Sequence, residues 1–298
     1  MVRRIPKHLV RKGMFVESVE CPDAEFSGRR FLVQSDETIR AILATSAAYA
    51  LVNPQKSMMD IDAAGGPAAG AQERKRTAET VVQATSALRG SFDAVRRGQL
   101  QADTLNPVAD EISSRIDASP EIFLEVTRLK TKDEGTYVHS LAVSALMMRL
   151  ARSLGYADDM VRELGVAGLL HDVGKLMVPN AILNKAGRLE AEERRLVRNH
   201  PEVGYRLLKE QGGMSHLVLD ICRYHHETLD GSGYPLGLAA GELSQEIRLA
   251  TVCDVFEALT SARPYKQPWT ARDALSWMFS RGQLFDKKLV IRLGGIFA

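Results

Sequence analysis

The sequence predicts a mainly α protein, an all-helical domain preceded by a small mixed α/β domain. Three observations predict it. From Thr136 onward the apolar residues recur at helical spacing almost without interruption. Before residue 62 they come instead in short runs bounded by turn formers, as in strands. Between the two, Ala63-Ala64-Gly65-Gly66-Pro67-Ala68-Ala69-Gly70-Ala71 has nothing to bury and reads as a linker. A chain of 298 residues, 45% of them hydrophobic, is long enough for one small core and one large one.

In chain order, Met14-Phe15-Val16 and Phe31-Leu32-Val33 read as short strands, with Gly13 and Ser27-Gly28 as turn signals. Asp36 to Ala44 reads as a helix, and Ala48 to Val52 as a further strand stopped by Asn53-Pro54. Residues 1–62 thus form a small mixed domain that leaves regulation, dimerisation and partner binding all open. Residues 63–72 are the flexible linker, and residues 73–130 are connecting helices. The first of these runs from about Gln72 to Gly98, with Val81, Ala84, Leu88, Phe92 and Val95 on one face. That face suits either packing on its own domain or the stalk of a homodimer. Further helices follow from about Pro107 to Ile116 and Pro120 to Lys130.

Residues 131–298 make the large helical domain. Val138, Leu141, Ala142, Ala145 and Leu146 stand at i, i+3, i+4, i+7 and i+8, which defines one buried stripe. Helices are expected at about 158–170, 190–199, 201–211, 217–227, 245–261 and 271–280. Several function classes are excluded by composition. With 26% charged residues and a net charge of +2, the chain has no general pull toward DNA or membranes, so any basic site is local. Met1 to Gly13 lacks the apolar segment of a secretory signal. The longest mostly apolar run, Ala41 to Val52, is short and broken at Thr45-Ser46, so no membrane span is expected. Cys21, Cys222 and Cys253 have no CxxC spacing, which points to reduced thiols in a cytoplasmic protein.

The histidines carry the chemistry. His171-Asp172-Val173-Gly174-Lys175 follows an apolar helical run whose pattern Gly174 breaks, so one imidazole and one carboxylate sit together at a helix end. Without thiolates, these are donors that divalent transition metals take. His139 lies near the start of the first core helix. His200 precedes Pro201, which disfavours helix at His200 and puts it at a helix junction. His225-His226 end a helix before a turn-rich loop. Asp254 sits in an apolar helix, where an unpaired carboxylate is costly and a metal or an arginine such as Arg263 would neutralise it. A lone histidine at a helix end is ordinarily a hydrogen-bonded cap. A histidine or aspartate at every helix end that could converge is not explained that way. His8 and His216 fit no such pattern.

In this order His139, His171-Asp172, His200, His225-His226 and Asp254 resemble the HD superfamily of metal-dependent phosphohydrolases. Residues 225–235, His-His-Glu-Thr-Leu-Asp-Gly-Ser-Gly-Tyr-Pro, resemble the signature of its HD-GYP subfamily. So do residues 171–175 and Ser261-Ala262-Arg263-Pro264-Tyr265-Lys266. The similarity spans about residues 130–285. Residues 1–62, with Gly13-Met14-Phe15-Val16, resemble the small N-terminal domain of unknown function often found before HD-GYP domains.

The resemblance implies an all-helical HD-superfamily domain and a bacterial phosphodiesterase that hydrolyses cyclic di-GMP to the linear dinucleotide or to GMP. It implies two divalent metal ions, non-haem iron or manganese. His139, His171, Asp172 and Asp254 would hold one, with Asp172 bridging to a second held by His200, His225 and His226. Lys175, with Asp172, would be catalytic and would meet the scissile phosphate. Gly233, Tyr234, Pro235, Arg263 and Lys266 would bind substrate, and the loop 230–235 would meet partners such as diguanylate cyclases. Three departures stand out, one of them Glu257, where aspartate is frequent and glutamate is expected to be tolerated. Gly135 occupies the place of a glutamate that completes a third metal site in some members, and Glu134 would point about 100° away on a helix. Residues Leu289 to Ala298 fit the family poorly and are short of its usual tail. Two rival readings are a catalytically weak cyclic di-GMP sensor, and an HD phosphohydrolase of another cyclic nucleotide.

Overall fold

The structure, a computed structural model, describes residues 2–47, 49–59, 67–128, 135–185, 187–261 and 267–296. It divides into two compact units, Met1–Arg76 and Thr77–Ala298.

The first unit is a four-stranded antiparallel sheet of β1 (Arg3–Pro6), β2 (Phe15–Val19), β3 (Phe31–Leu32) and β4 (Tyr49–Val52), with α1 (Asp36–Leu43) between β3 and β4. Strand order is β1-β4-β2-β3, with Ile5 opposite Ala50 and Phe15 opposite Leu32. Ser35 caps α1 by accepting a hydrogen bond from the Thr38 N–H. Val10, Met14, Val16, Val33, Ile42, Ala50 and Val52 are buried as its core. β1 was not expected, because Arg3-Arg4 carries no strand pattern and only Ile5 of the four residues is buried.

The helical elements are α2 (Pro67–Arg96), α3 (Asn106–Ala118), α4 (Pro120–Arg128), α5 (Gly135–Ser153), α6 (Asp158–Leu170), α7 (Asn180–Leu183), α8 (Ala191–Arg198), α9 (His200–Gln211), α10 (His216–Tyr224), α11 (Gln245–Thr260), α12 (Ala271–Phe279) and α13 (Lys287–Gly294). The expected linker over 63–72 is corrected at its C-terminal end, since Pro67 to Gln72 already belong to α2. Proline suits a first helical turn and the alanines after it favour helix, so low complexity there does not mean coil. Residues 63–66 lie outside the described residues. The α2 face of Val81, Ala84, Leu88, Phe92 and Val95 is buried in the core of the helical unit. Of the two uses open to that face, packing on its own domain is the one observed.

Two further differences concern helix ends. Helix α9 begins at His200 itself, one residue earlier than the proline rule suggests, with Pro201 in its first turn and Asn199 as its cap. Helix α13 was not expected. Asp286 caps it by accepting hydrogen bonds from the Lys288 and Leu289 N–H groups, and Leu289, Val290 and Leu293 are buried in the core. The stretch from Leu289, a poor fit to the family by sequence, therefore packs as an amphipathic helix. Antiparallel α5 and α6 form the centre of the unit, where the Ser144 hydroxyl donates to the Gly165 carbonyl at 2.8 Å. Among the described residues no helix is long and apolar enough to cross a membrane.

Candidate metal centre

Each donor is delivered by a helix end or a buried helix face. Helix α5 brings His139 in its second turn, and α6 ends at Leu170 so that His171 becomes its cap. Asp172 follows, leading into a tight 3-10 stretch, Val173–Met177. Gly174 is required there. A Cβ on it would lie 1.9 Å from the His200 carbonyl oxygen and 2.6 Å from the Gly204 nitrogen. This close approach seats the turn against the start of α9, which carries His200. Helix α10 ends into His225-His226, and α11 presents Asp254 from its buried face.

Two groups of donors result. His139, His171 and Asp254 place one donor atom each within 4.8 Å of one another, and so do Asp172, His200, His225 and His226. Asp172 stands between them. Its Oδ1 is 3.0 Å from His200 Nε2 and 3.8 Å from His225 Nε2. Its Oδ2 is 3.6 Å from His139 Nε2 and 3.5 Å from His171 Nε2. Asp254 Oδ1 lies 3.0 Å from His139 Nε2, and its Oδ2 lies 3.5 Å from His226 Nδ1. All of these side chains are buried except His226, which is partly exposed at the mouth.

Hydrogen bonds on the far side of the rings orient them. Nδ1 of His171 donates to the Gly168 carbonyl at 2.8 Å, and that of His200 to the Val197 carbonyl at 2.7 Å. Nδ1 of His225 lies 3.0 Å from the carbonyls of both Ile221 and Cys222. With Nδ1 carrying the proton, each Nε2 lone pair is turned into the cluster. His139 Nδ1 hydrogen-bonds the buried Glu257 carboxylate, which also accepts from the Ser261 hydroxyl.

The electrostatics favour a cation. Burial opposes ionising Asp172, yet Lys175, His171 and His200 outweigh it and hold its carboxyl well below the usual range. Burial likewise opposes ionising Asp254, but His139 and His226 keep it ionised. Burial pushes His226 down to about 3, with His200 and Lys175 acting the same way, so it is neutral and free to donate a lone pair. Among the described residues, His171 Nε2 and Asp172 Oδ1 are buried without any hydrogen bond, although Asp172 Oδ1 is only 3.0 Å from His200 Nε2. Unsatisfied buried donor-set atoms are costly, and a metal ion removes the cost. Five imidazoles and two carboxylates, with no thiolate, fit a divalent metal ion.

The Lys175 ammonium lies on the Asp172 carboxylate. Tyr234 stacks on His226 with ring centroids 4.6 Å apart. Gly233 allows that, since a Cβ there would lie 2.5 Å from Glu227 Cα and 2.6 Å from the His226 carbonyl oxygen. Pro235 follows Tyr234 in the same loop, through a cis peptide bond. Arg263 and Lys266 lie outside the described residues.

Sequence reasoning assigned no role to three residues of the site. Glu257 orients His139, and its signal was the one used for Asp254, a carboxylate on the buried face of an apolar helix. Buried Glu227 accepts the backbone N–H groups of Leu236, Gly237 and Leu238 at 2.7 to 3.1 Å, clamping the loop after Tyr234. The Arg198 guanidinium lies 4.4 Å from the Tyr234 ring centroid, a long-range pairing without sequence signal.

A family model described as HD domain matches residues 113–289. Cyclic di-GMP phosphodiesterase PA4108 of Pseudomonas aeruginosa is 38% identical over 310 residues, covering 97% of this chain and 75% of that protein. Cyclic di-GMP phosphodiesterase response regulator RpfG of Xanthomonas campestris pv. campestris is 39% identical, over 54% of this chain and 43% of its own. The 3'3'-cGAMP-specific phosphodiesterase 1 of Vibrio cholerae is 37% identical, over 49% of this chain and 34% of its own. Among solved structures, Bd1817, an HDG"Y"P protein from Bdellovibrio bacteriovorus, shares the fold with a TM-score of 0.60 at 14% identity, covering 100% of this chain and 99% of that one.

Proposed function

This chain belongs to the HD domain family, and we propose that it is a phosphodiesterase that opens cyclic di-GMP to the linear dinucleotide and on to GMP. The observation that carries the reading is Asp172, whose two oxygens face different groups of histidines. His139, His171 and Asp254 would hold one ion, His200, His225 and His226 the other, with Asp172 shared. Gly135, the first residue of α5, offers no donor for a third. Imidazole and carboxylate donors suit iron or manganese. When bound, such ions supply an activated water and neutralise charge at phosphorus.

The chain's own residues would do the rest. Lys175, already at the cluster on Asp172, meets the scissile phosphate or the leaving oxygen. Gly233, Tyr234 and Pro235 contact the substrate from the loop beside His226. Arg263 and Lys266 hold the second phosphate, arginine supplying a bidentate fork. The same loop would meet diguanylate cyclases. Three free cysteines fit a cytoplasmic setting. Cyclic GMP-AMP is the competing substrate, because a relative 37% identical is named for it.

Anaerobically purified protein should hydrolyse cyclic di-GMP faster than cyclic GMP-AMP and carry about two metal ions per chain. Asp172→Ala should lose metal and turnover together. Lys175→Ala should keep its metal and lose about a hundredfold or more in kcat. Full metal occupancy in Asp172→Ala would sink the bridging assignment, and metal-loaded wild type that binds cyclic di-GMP without turnover would make the protein a sensor.

A further inference from the structure

A cavity of about 930 Å³ opens at the far end of α5 from His139, where that helix meets α3, the start of α11 and α13. Arg149 and Arg152 line it, ten and thirteen residues beyond His139, so about 15 to 20 Å away along the helix axis. None of the metal-centre residues lines it.

Among the described residues its charges do not balance. Of the two carboxylates on its wall, Asp117 is paired with Arg152 at 2.5 Å and lies 4.0 Å from Arg149. Asp286 is spent on capping α13 and faces Arg248 at 3.6 Å. Lys288 and Arg292 also line the cavity. Among the described residues neither side chain has a hydrogen-bond or ion-pair partner. They stand at i and i+4 on one helix, so the two like charges repel. Arg149 adds a buried Nε–H that is unsatisfied among the described residues. Leaving such a donor unpaired is unfavourable. A dianion would answer the two unpartnered cations and their repulsion, with Arg149 as a further positive charge on the wall. Beside the cations, Leu154, Ile291 and Ile296 give the cavity an apolar wall, and its volume falls within the roughly 300–1,000 Å³ of small-molecule sites.

We propose that this cavity binds a nucleoside monophosphate, its phosphate held by Arg149, Lys288 and Arg292 and its base laid against Leu154, Ile291 and Ile296. The site is separate from the metal centre and does not depend on the activity assigned there.

Isothermal titration of AMP and of GMP into metal-loaded full-length protein tests it. Lys288→Ala/Arg292→Ala changes two exposed side chains and should fold, with metal content as the check. It should weaken binding of at least one nucleotide by about tenfold or more, since charge-assisted hydrogen bonds are lost. Asp172→Ala, which disrupts the metal centre, should leave that binding unchanged. Arg149→Lys, which keeps the charge but removes the planar fork, should also weaken it. No binding of either nucleotide overturns the proposal. So does binding that Asp172→Ala abolishes, or binding that the double variant leaves intact.

Discussion

At the residue scale, a histidine becomes a potential ligand through what holds its other nitrogen. His171, His200 and His225 each give Nδ1 to backbone carbonyls of the preceding helical turn, so the helix itself selects the tautomer. His139 uses a carboxylate instead, and that makes Glu257 a positioning residue. Glu257→Gln should lower metal affinity about 10- to 100-fold, as loss of such orienting partners does. Metal titration against a competing chelator measures it, and unchanged affinity would reduce Glu257 to a packing role. The metal-free protein should also be acid-sensitive. Burial lowers His226 from 6.5 to about 3, and burial with its histidine neighbours lowers His225 far below its ordinary value. Between the unfolded and folded values the unfolded chain binds more protons, so stability falls as pH drops below about 6.5. His139 acts in the opposite sense. Burial resists its charging, but Glu257 and Asp254 raise its pKa, so its contribution is present at low pH and lost as pH rises past the folded value. Burial lowers His171 as well, and the three depressed histidines outweigh the one raised. The urea midpoint of metal-free protein should fall from about pH 7 to about pH 5, and His226→Gln should flatten that slope. A wild-type midpoint that rises toward pH 5 would contradict this.

At the element scale, the turn after α6 and the start of α9 form one unit. Gly174 lets their backbones touch, which sets Asp172 against His200. Gly174→Ala would put a methyl carbon 1.9 Å from the His200 carbonyl oxygen, so the backbone must move. We expect a loss of about 1–3 kcal/mol or more from overpacking. Metal content should fall as well, because His200 shifts relative to Asp172. Thermal melts and metal analysis of the same sample check both, and a variant with full metal and unchanged melting would remove Gly174 from the site. Helix α13 shows the reverse relation between pattern and packing. Its apolar residues close the core of the unit although no helix was expected there.

At the scale of the whole molecule, all seven candidate metal-centre residues lie in the unit Thr77–Ala298. Five helices, two of them through the turns at their ends, converge there, so the cluster ties together segments that are distant in sequence. Metal binding is then linked to folding of that unit. With free metal at about a hundred times its Kd, each site adds about 2.7 kcal/mol. Chelation should lower the melting temperature by several degrees, and re-addition of iron or manganese should restore it. A melting temperature indifferent to chelator, with the metal shown to be gone, would mean that the cluster folds as a self-sufficient polar core.

The sequence by itself determined the mainly α architecture, the position of most helices and the identity of the clustered histidines and aspartates. Those are local properties: apolar period, capping chemistry, and the cost of burying a carboxylate in an apolar helix. Only the tertiary structure decided which oxygen of Asp172 faces which histidines, because that depends on the contact of Gly174 with the start of α9. Glu257 and Glu227 became visible as orienting residues only once folding supplied their partners, one a histidine 118 residues away, the other a run of backbone N–H groups. The strand β1 and helix α13 carry weak local patterns and are held mainly by what they pack against. Pairing across long sequence separations is written into no single stretch of residues, and it is the physical content that the fold adds.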